Sequence, residues 1–180
     1  MGAGDLKMAD ILIKQEWENR VFPAMVDNRI LPCILERLDG TPARIRDKTS
    51  KIPKDIINRV LPGKWSIKEE IGHLIDLEPL WAIRIKQIKS LEMEMTAADM
   101  SNRKTHTACH NGRYIDEIVD EFEDVRRHTV EMISAFTLYD MDKYSFHPRL
   151  RKPMRIVDLA YFIAEHDDHH LAQITFLSNQ

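Results

Sequence analysis

A chain of 180 residues, 43% hydrophobic and 31% charged, is long enough for one domain with a substantial core and too apolar to remain disordered. A net charge of -3 and a pI near 6.2 offer no basic surface for nucleic acid. No apolar run is long enough to cross a bilayer, and the N-terminus lacks the apolar segment of a signal peptide. The two cysteines, Cys33 and Cys109, form no CxxC pattern and fit free thiols in a reducing compartment. A cytoplasmic protein with a small-molecule partner, and neither nucleic acid nor membrane, is the expectation.

Met1 to Asp5 reads as a disordered leader. Leu6 to Met25 carries a weak helical pattern anchored by Ile11, Trp17, Phe22 and Met25, interrupted by Pro23. From Asn28 to Leu38, apolar residues recur at helical spacing and stop at Asp39-Gly40. Arg44 to Gly63 is polar, with Pro53 and Pro62, and predicts at most a short turn near Ile56. Ser66-Ile67-Lys68-Glu69 is a capping box, so a helix should begin at Ile67 and run to about Lys89, kinked at Pro79. Glu92 to Gly112 reads as a long polar connection. Tyr114 to Phe136 forms another amphipathic helix, and a loop through Tyr144, Phe146 and Pro148 leads to a last helix over Ile156 to Leu177. No segment shows strand alternation. Four long helices predict an all-α four-helix bundle.

The last helix holds the chemistry. On a helical wheel His166 and His170 fall at the centre of its apolar face, beside Phe162, Ile163, Gln173 and Leu177. Imidazoles there need polar partners, because burying them unsatisfied is costly. At i and i+4 their rings can converge on one metal ion. A hydrogen-bonded core network is the bland alternative. His73, at the edge of the apolar face of the capped helix near Leu77 and Leu80, is the natural third ligand from a neighbouring helix. Three neutral imidazoles leave at least one position for water or substrate, the ligand count of a catalytic site. Nitrogen ligation suits Ni, Zn, Fe, Mn or Co alike.

Other residues carry weaker signals. Asp167 stands where the metalloprotease motif H-E-x-x-H has glutamate, and the shorter side chain argues against protease chemistry. Di-iron carboxylate sites are disfavoured, because they need E-x-x-H pairs on two helices. Asp167, His169 and Gln173 are candidates to move a proton or orient a ligand. Arg126 sits on the apolar side of its helix, either snorkelling to solvent or greeting an anionic substrate. His106 and His110, amid polar residues, read as surface histidines, and His128 and His147 carry no spacing signal.

Gly63-Lys64-Trp65-Ser66-Ile67-Lys68-Glu69-Glu70-Ile71-Gly72-His73-Leu74 resembles the W-S-x-x-E-x-x-x-H-L segment of the DinB/YfiT-like metalloenzyme superfamily. His166-Asp167-Asp168-His169-His170-Leu171-Ala172-Gln173-Ile174 resembles its closing H-x-x-H-H-x-x-Q-I helix. The resemblance runs from about Asn28 to the C-terminus. It divides the chain into an N-terminal extension, 1–27, of unassigned role, and a DinB-like domain, 28–180. It implies an up-down-down-up bundle, often a homodimer, with a divalent metal, commonly nickel or zinc, held by His73, His166 and His170. Members with assigned roles include transferases and isomerases that use a low-molecular-weight thiol as cosubstrate, and predicted metal-dependent hydrolases. Pro79 in the ligand helix departs from the pattern.

The resulting expectation is a metal-dependent enzyme performing thiol transfer or hydrolysis on a small molecule. Against it stands a non-catalytic bundle serving as a binding or sensor module, with a structural metal or none.

Overall fold

The computed structural model describes residues 15–180. Helix α1 (Leu31–Asp39) is followed after Gly40 by α2 (Thr41–Ser50) and a single turn, α3 (Lys54–Ile57). The long helix α4 (Ile67–Lys89) leads through a short helix, α5 (Arg103–Thr107), to α6 (Ile115–Ser134). A hairpin of β1 (Tyr144–His147) and β2 (Lys152–Arg155) then feeds the last helix, α7 (Ile156–Ser178). The α1–α2 arm packs with α4, α6 and α7 as a four-helix bundle.

The capping box at the start of α4 is formed as the sequence predicts. Ser66 Oγ accepts from the Glu69 amide at 3.1 Å, and Glu69 Oε2 accepts from the Ser66 amide at 2.8 Å. That lock fixes which residues of α4 face inward: Ile67, Ile71, His73 and Leu74 are all buried. The helix continues through Pro79 to Lys89.

Two expectations are corrected. Thr41–Ser50 is helical, although its polar sequence shows little apolar period. Pro42 occupies the first turn, where its missing N–H costs nothing, and Thr41, Ile45 and Thr49 supply one narrow buried stripe. Strands also form. Tyr144 pairs with Arg155 and His147 with Lys152, and Met95 donates to the Phe146 carbonyl from the neighbouring loop at 2.9 Å. With so short a hairpin the alternation spans too few residues to stand out.

Much of the expected Leu6–Met25 helix lies outside the described residues. From residue 15 the segment holds one 3-10 turn, Trp17–Asn19, and then runs over the start of α7. Met25 donates its amide to Asp158 at 2.6 Å, Lys152 donates to the Phe22 carbonyl, and the Trp17 and Phe22 rings pack on Phe162 at 5.1 and 4.7 Å. No helix among the described residues is long and apolar enough to cross a membrane.

Candidate metal centre

Helices α4 and α7 bring His73, His166 and His170 together. One ring nitrogen from each lies within 4.8 Å of the others, and the three residues are 5%, 4% and 6% exposed. His170 Nδ1 faces Glu70 Oε2 at 2.6 Å, so the carboxylate fixes a tautomer that presents the lone pair of Nε2. His73 Nδ1 is similarly engaged by the Thr105 hydroxyl at 3.0 Å, which turns its Nε2 inward. Burial, reinforced by the facing imidazole of His170, pushes His73 down to about 3. Burial and the surrounding histidines also hold His166 well below the usual range. Both rings are therefore neutral near pH 7, the form that ligates a metal.

These residues fit a divalent ion. Two imidazole nitrogens bound at roughly 2.0–2.1 Å to one tetrahedral ion stand about 3.4 Å apart. Nε2 of His166 and Nε2 of His170 are 3.2 Å apart. A proton shared between those two atoms would satisfy the pair equally well. It would do nothing for His73 Nε2, which has no hydrogen-bond partner among the described residues. A purely hydrogen-bonded core network thus leaves one nitrogen of His73 without a protein partner. Nδ1 of His166 is buried without a partner under either reading.

The cluster opens on a cavity of about 560 Å³, within the range of small-molecule sites. Trp65 lies 4.8 Å from the His73 ring, and Trp17 and Trp81 lie 4.9 and 5.9 Å from that of His166. His169 and Gln173, both partly exposed, line the same cavity, as the helical period places them. Cys33 and Cys109 are exposed and are not among the lining residues.

Asp167 and Arg126 are placed elsewhere. Arg126 does not snorkel, and the pair does not face the cavity. Its guanidinium is 1% exposed, donating from Nη2 to Asp167 Oδ1 at 3.0 Å and from Nε to Glu78 Oε1 at 2.8 Å. Asp167, fully buried, also accepts from Thr41 at 3.0 Å, and Thr129 donates to Glu78. Burial alone would lower the Arg126 pKa, but the two carboxylates raise it above its ordinary value. Both groups are committed to this buried network, and neither lines the cavity. The expected roles of Asp167 as a proton carrier and Arg126 as a substrate ligand therefore lack geometric support.

His110 is also not a surface histidine. Its ring lies against Gly72, where an added Cβ would come within 2.3 Å of His110 Cγ, and its Nε2 contacts Asp76 at 2.9 Å. The glycine just before His73 was the available signal, because close approach of another group is what such a position permits. His106 and His128 are exposed.

Several cavity residues escaped sequence reasoning. His147 (2% exposed), Arg84 (1% exposed) and Arg149 reach the cavity from the β hairpin and from α4. Glu70 and Thr105, which orient two of the histidines, lie three residues before His73 and in a segment read as loop. Glu70 stands one turn from His73 on α4, and a carboxylate at that spacing from a candidate ligand was a usable signal.

The fold has a counterpart among solved structures. YfiT from Bacillus subtilis, described as a probable metal-dependent hydrolase with an unusual four-helix bundle topology, superposes with a TM-score of 0.69 at 16% identity, covering 87% of this chain and 90% of that one. At that identity the likeness speaks for the fold. No curated protein sequence matches the chain. The family model of the DinB superfamily matches residues 37–174, and the chain belongs to that superfamily.

Proposed function

We propose that the protein is a metal-dependent hydrolase of a small molecule, with His73, His166 and His170 holding the ion. The observation that carries this reading is the convergence of three buried imidazoles at the floor of a cavity. A divalent ion bound there supplies Lewis acidity, making a water or thiol more acidic and polarising a substrate carbonyl or phosphoryl oxygen. Glu70 and Thr105 keep the His170 and His73 rings from rotating, so the donor set is organised before the ion arrives. The three tryptophans exclude bulk water from the floor and offer flat apolar walls to a substrate. His169, its ring 5.4 Å from that of His170, is the imidazole placed to accept or return a proton at the cavity wall, and Gln173 one turn on can hold a polar group of the substrate. YfiT, described as a probable metal-dependent hydrolase, shares the fold, which supports this choice of reaction over thiol transfer. No cysteine lines the cavity, so thiol transfer would require the thiol to arrive as a cosubstrate.

The test is metal content and turnover together. Untagged protein should contain about one divalent ion per chain, lost in the His73→Ala/His166→Ala/His170→Ala variant. Hydrolysis across a panel of small esters and amides should disappear on chelation and return with the ion. Absence of metal even after divalent ions are offered would sink the enzyme reading in favour of a binding or sensor bundle. Bound metal with turnover only when a low-molecular-weight thiol is added would replace hydrolysis by transfer.

A further inference from the structure

The cavity wall beside the histidine cluster holds two arginines that no carboxylate neutralises. Arg84 is 1% exposed. Its Nε donates to the Thr96 carbonyl at 2.9 Å, its Nη1 contacts His147 Nε2 at 3.1 Å, and its guanidinium carbon lies 5.4 Å from the centre of the Trp81 ring. Arg149 donates from Nη1 to the Glu18 carbonyl at 3.1 Å, while its Nη2 is buried with no partner. Neither arginine forms an ion pair among the described residues, whereas Arg126, buried to the same degree as Arg84, is held by two carboxylates.

Hydrogen-bond valence adds a second, independent indication. Leu150 donates its amide toward His147 Nδ1 at 3.2 Å, while Arg84 approaches His147 Nε2 at 3.1 Å. A neutral imidazole accepts at one nitrogen only, so two donors compete for one lone pair. The corner formed by Arg84, His147, Arg149 and Leu150 therefore has more donors than acceptors. Buried donors without acceptors are unfavourable, and a ligand bearing acceptor oxygens would relieve the excess. The nearest acids do not provide it. Glu16 and Glu18 are exposed at the mouth, and Asp99 is taken by Ser101 and Arg103. Glu18 attracts Arg149 without reaching ion-pair distance.

From these contacts we infer that Arg84 and Arg149 form a subsite for an oxyanion, a carboxylate or phosphate group of the substrate. The inference rests on the reading of the cavity as the substrate site, and it assigns that substrate a negative charge. Trp81 sets the spacing. Its ring lies 5.9 Å from that of His166 and 5.4 Å from the Arg84 guanidinium. Arg149 reaches the same apolar wall, 5.9 Å from both the Trp17 and Phe162 rings. The anion subsite and the histidine cluster thus border the same indole, which suits a compact anion with a flat or apolar body. Guanidinium forks bind such groups through paired N–H donors.

Titration calorimetry with benzoate, phenyl phosphate and neutral benzamide tests this on the full chain, both as purified and after chelation. At least one anion should bind the chelated protein more tightly than benzamide does, with affinity falling as salt rises. Arg84→Met and Arg149→Met should each weaken that anion at least about tenfold and leave benzamide unchanged. Arg84→Lys, which keeps the charge and loses the fork, should fall between, and it carries the test together with Arg149→Met if Arg84→Met does not fold. The stronger of the two anions identifies the group. Equal binding of anion and benzamide, equal affinity in wild type and variants, or no anion binding by wild type would each overturn the proposal. Chelated protein isolates the arginines from the ion. Anion binding without any metal uptake would sink the hydrolase reading alone, and metal uptake without anion binding would sink only this one.

Discussion

Arg126 and Arg84 are equally buried, each 1% exposed, yet they stand in opposite electrostatic surroundings. Arg126 is enclosed by Glu78 and Asp167, and Thr41 and Thr129 donate to the same two carboxylates. Arg84 meets a carbonyl, a neutral histidine and an indole ring, and burial with the nearby Arg149 lowers its pKa to about 10. The same contrast runs along α7, where Asp167 closes the arginine network while its neighbour His166 turns Nε2 into the histidine cluster. A buried polar group whose valence is fully used holds the bundle together. One whose valence is left over is available to a ligand.

The largest effect should come from breaking the closed network. Asp167→Ala strands the Arg126 charge beside Glu78 alone, and losing one partner of a buried pair costs about 3–5 kcal/mol. Thermal unfolding should show a fall in Tm on the order of 10 °C, with a parallel loss in urea midpoint. If Asp167→Ala unfolds like wild type, the network is not what secures α6 to α7. At the open cluster the expected loss is in affinity for the ion. Glu70→Gln removes the charged acceptor that orients His170 and should weaken metal binding by about 10–100-fold with little change in apoprotein stability. Competition with a chromogenic chelator measures it, and unchanged affinity would mean that Glu70 does not set the ring.

Much of this was legible in the sequence, for reasons that can be named. The capping box Ser66–Glu69 is a local hydrogen-bond pattern, so it fixes the start of α4 without help from the rest of the fold. His166 and His170 are separated by one helical turn, and a 3.6-residue period is enough to bring them together. Most of what failed depended on distant partners. Arg126 and Asp167 are 41 positions apart, and nothing local marks them as a pair. His110 is buried only because Gly72, in another helix, leaves room for its ring. Helix α2 shows too weak a period to announce itself, because Thr41 and Thr49 fill two of the three places in its buried stripe. Arg84 and His147 meet across 63 positions, through a hairpin too short to reveal its alternation.

The anion corner should also leave a pH signature. His147 is pushed down to about 3 by burial, then by Arg84, Arg149 and Lys152. A histidine depressed in the folded state binds its proton more readily when unfolded, so its contribution to stability is complete above the unfolded pKa of about 6.5. As pH falls from about 6.5 toward 3, that contribution is lost at up to about 1.4 kcal/mol per pH unit. Urea unfolding of wild type and His147→Asn at a series of pH values isolates the term as the difference in slope. Identical slopes would show that His147 takes up a proton as readily in the folded protein as in the unfolded chain, which would end its role as the acceptor that two donors contest.

The smallest stability change is the sharpest check on the contrast between the two arginines. Arg84→Met keeps most of the side-chain length and its packing on Trp81, and removes a charge that no carboxylate balances. The one backbone acceptor it abandons is the carbonyl of exposed Thr96, which water can reach. The desolvation cost of the cation disappears with the charge, and its weak compensation disappears too. Stability should therefore change by less than about 1 kcal/mol, in either direction, against the several lost on breaking the Arg126 network. A loss as large as that of Asp167→Ala would mean that Arg84 is bound into the fold as firmly as Arg126. Burial without a counter-charge would then mark a structural residue here, and the distinction between used and unused valence would no longer separate the two sites.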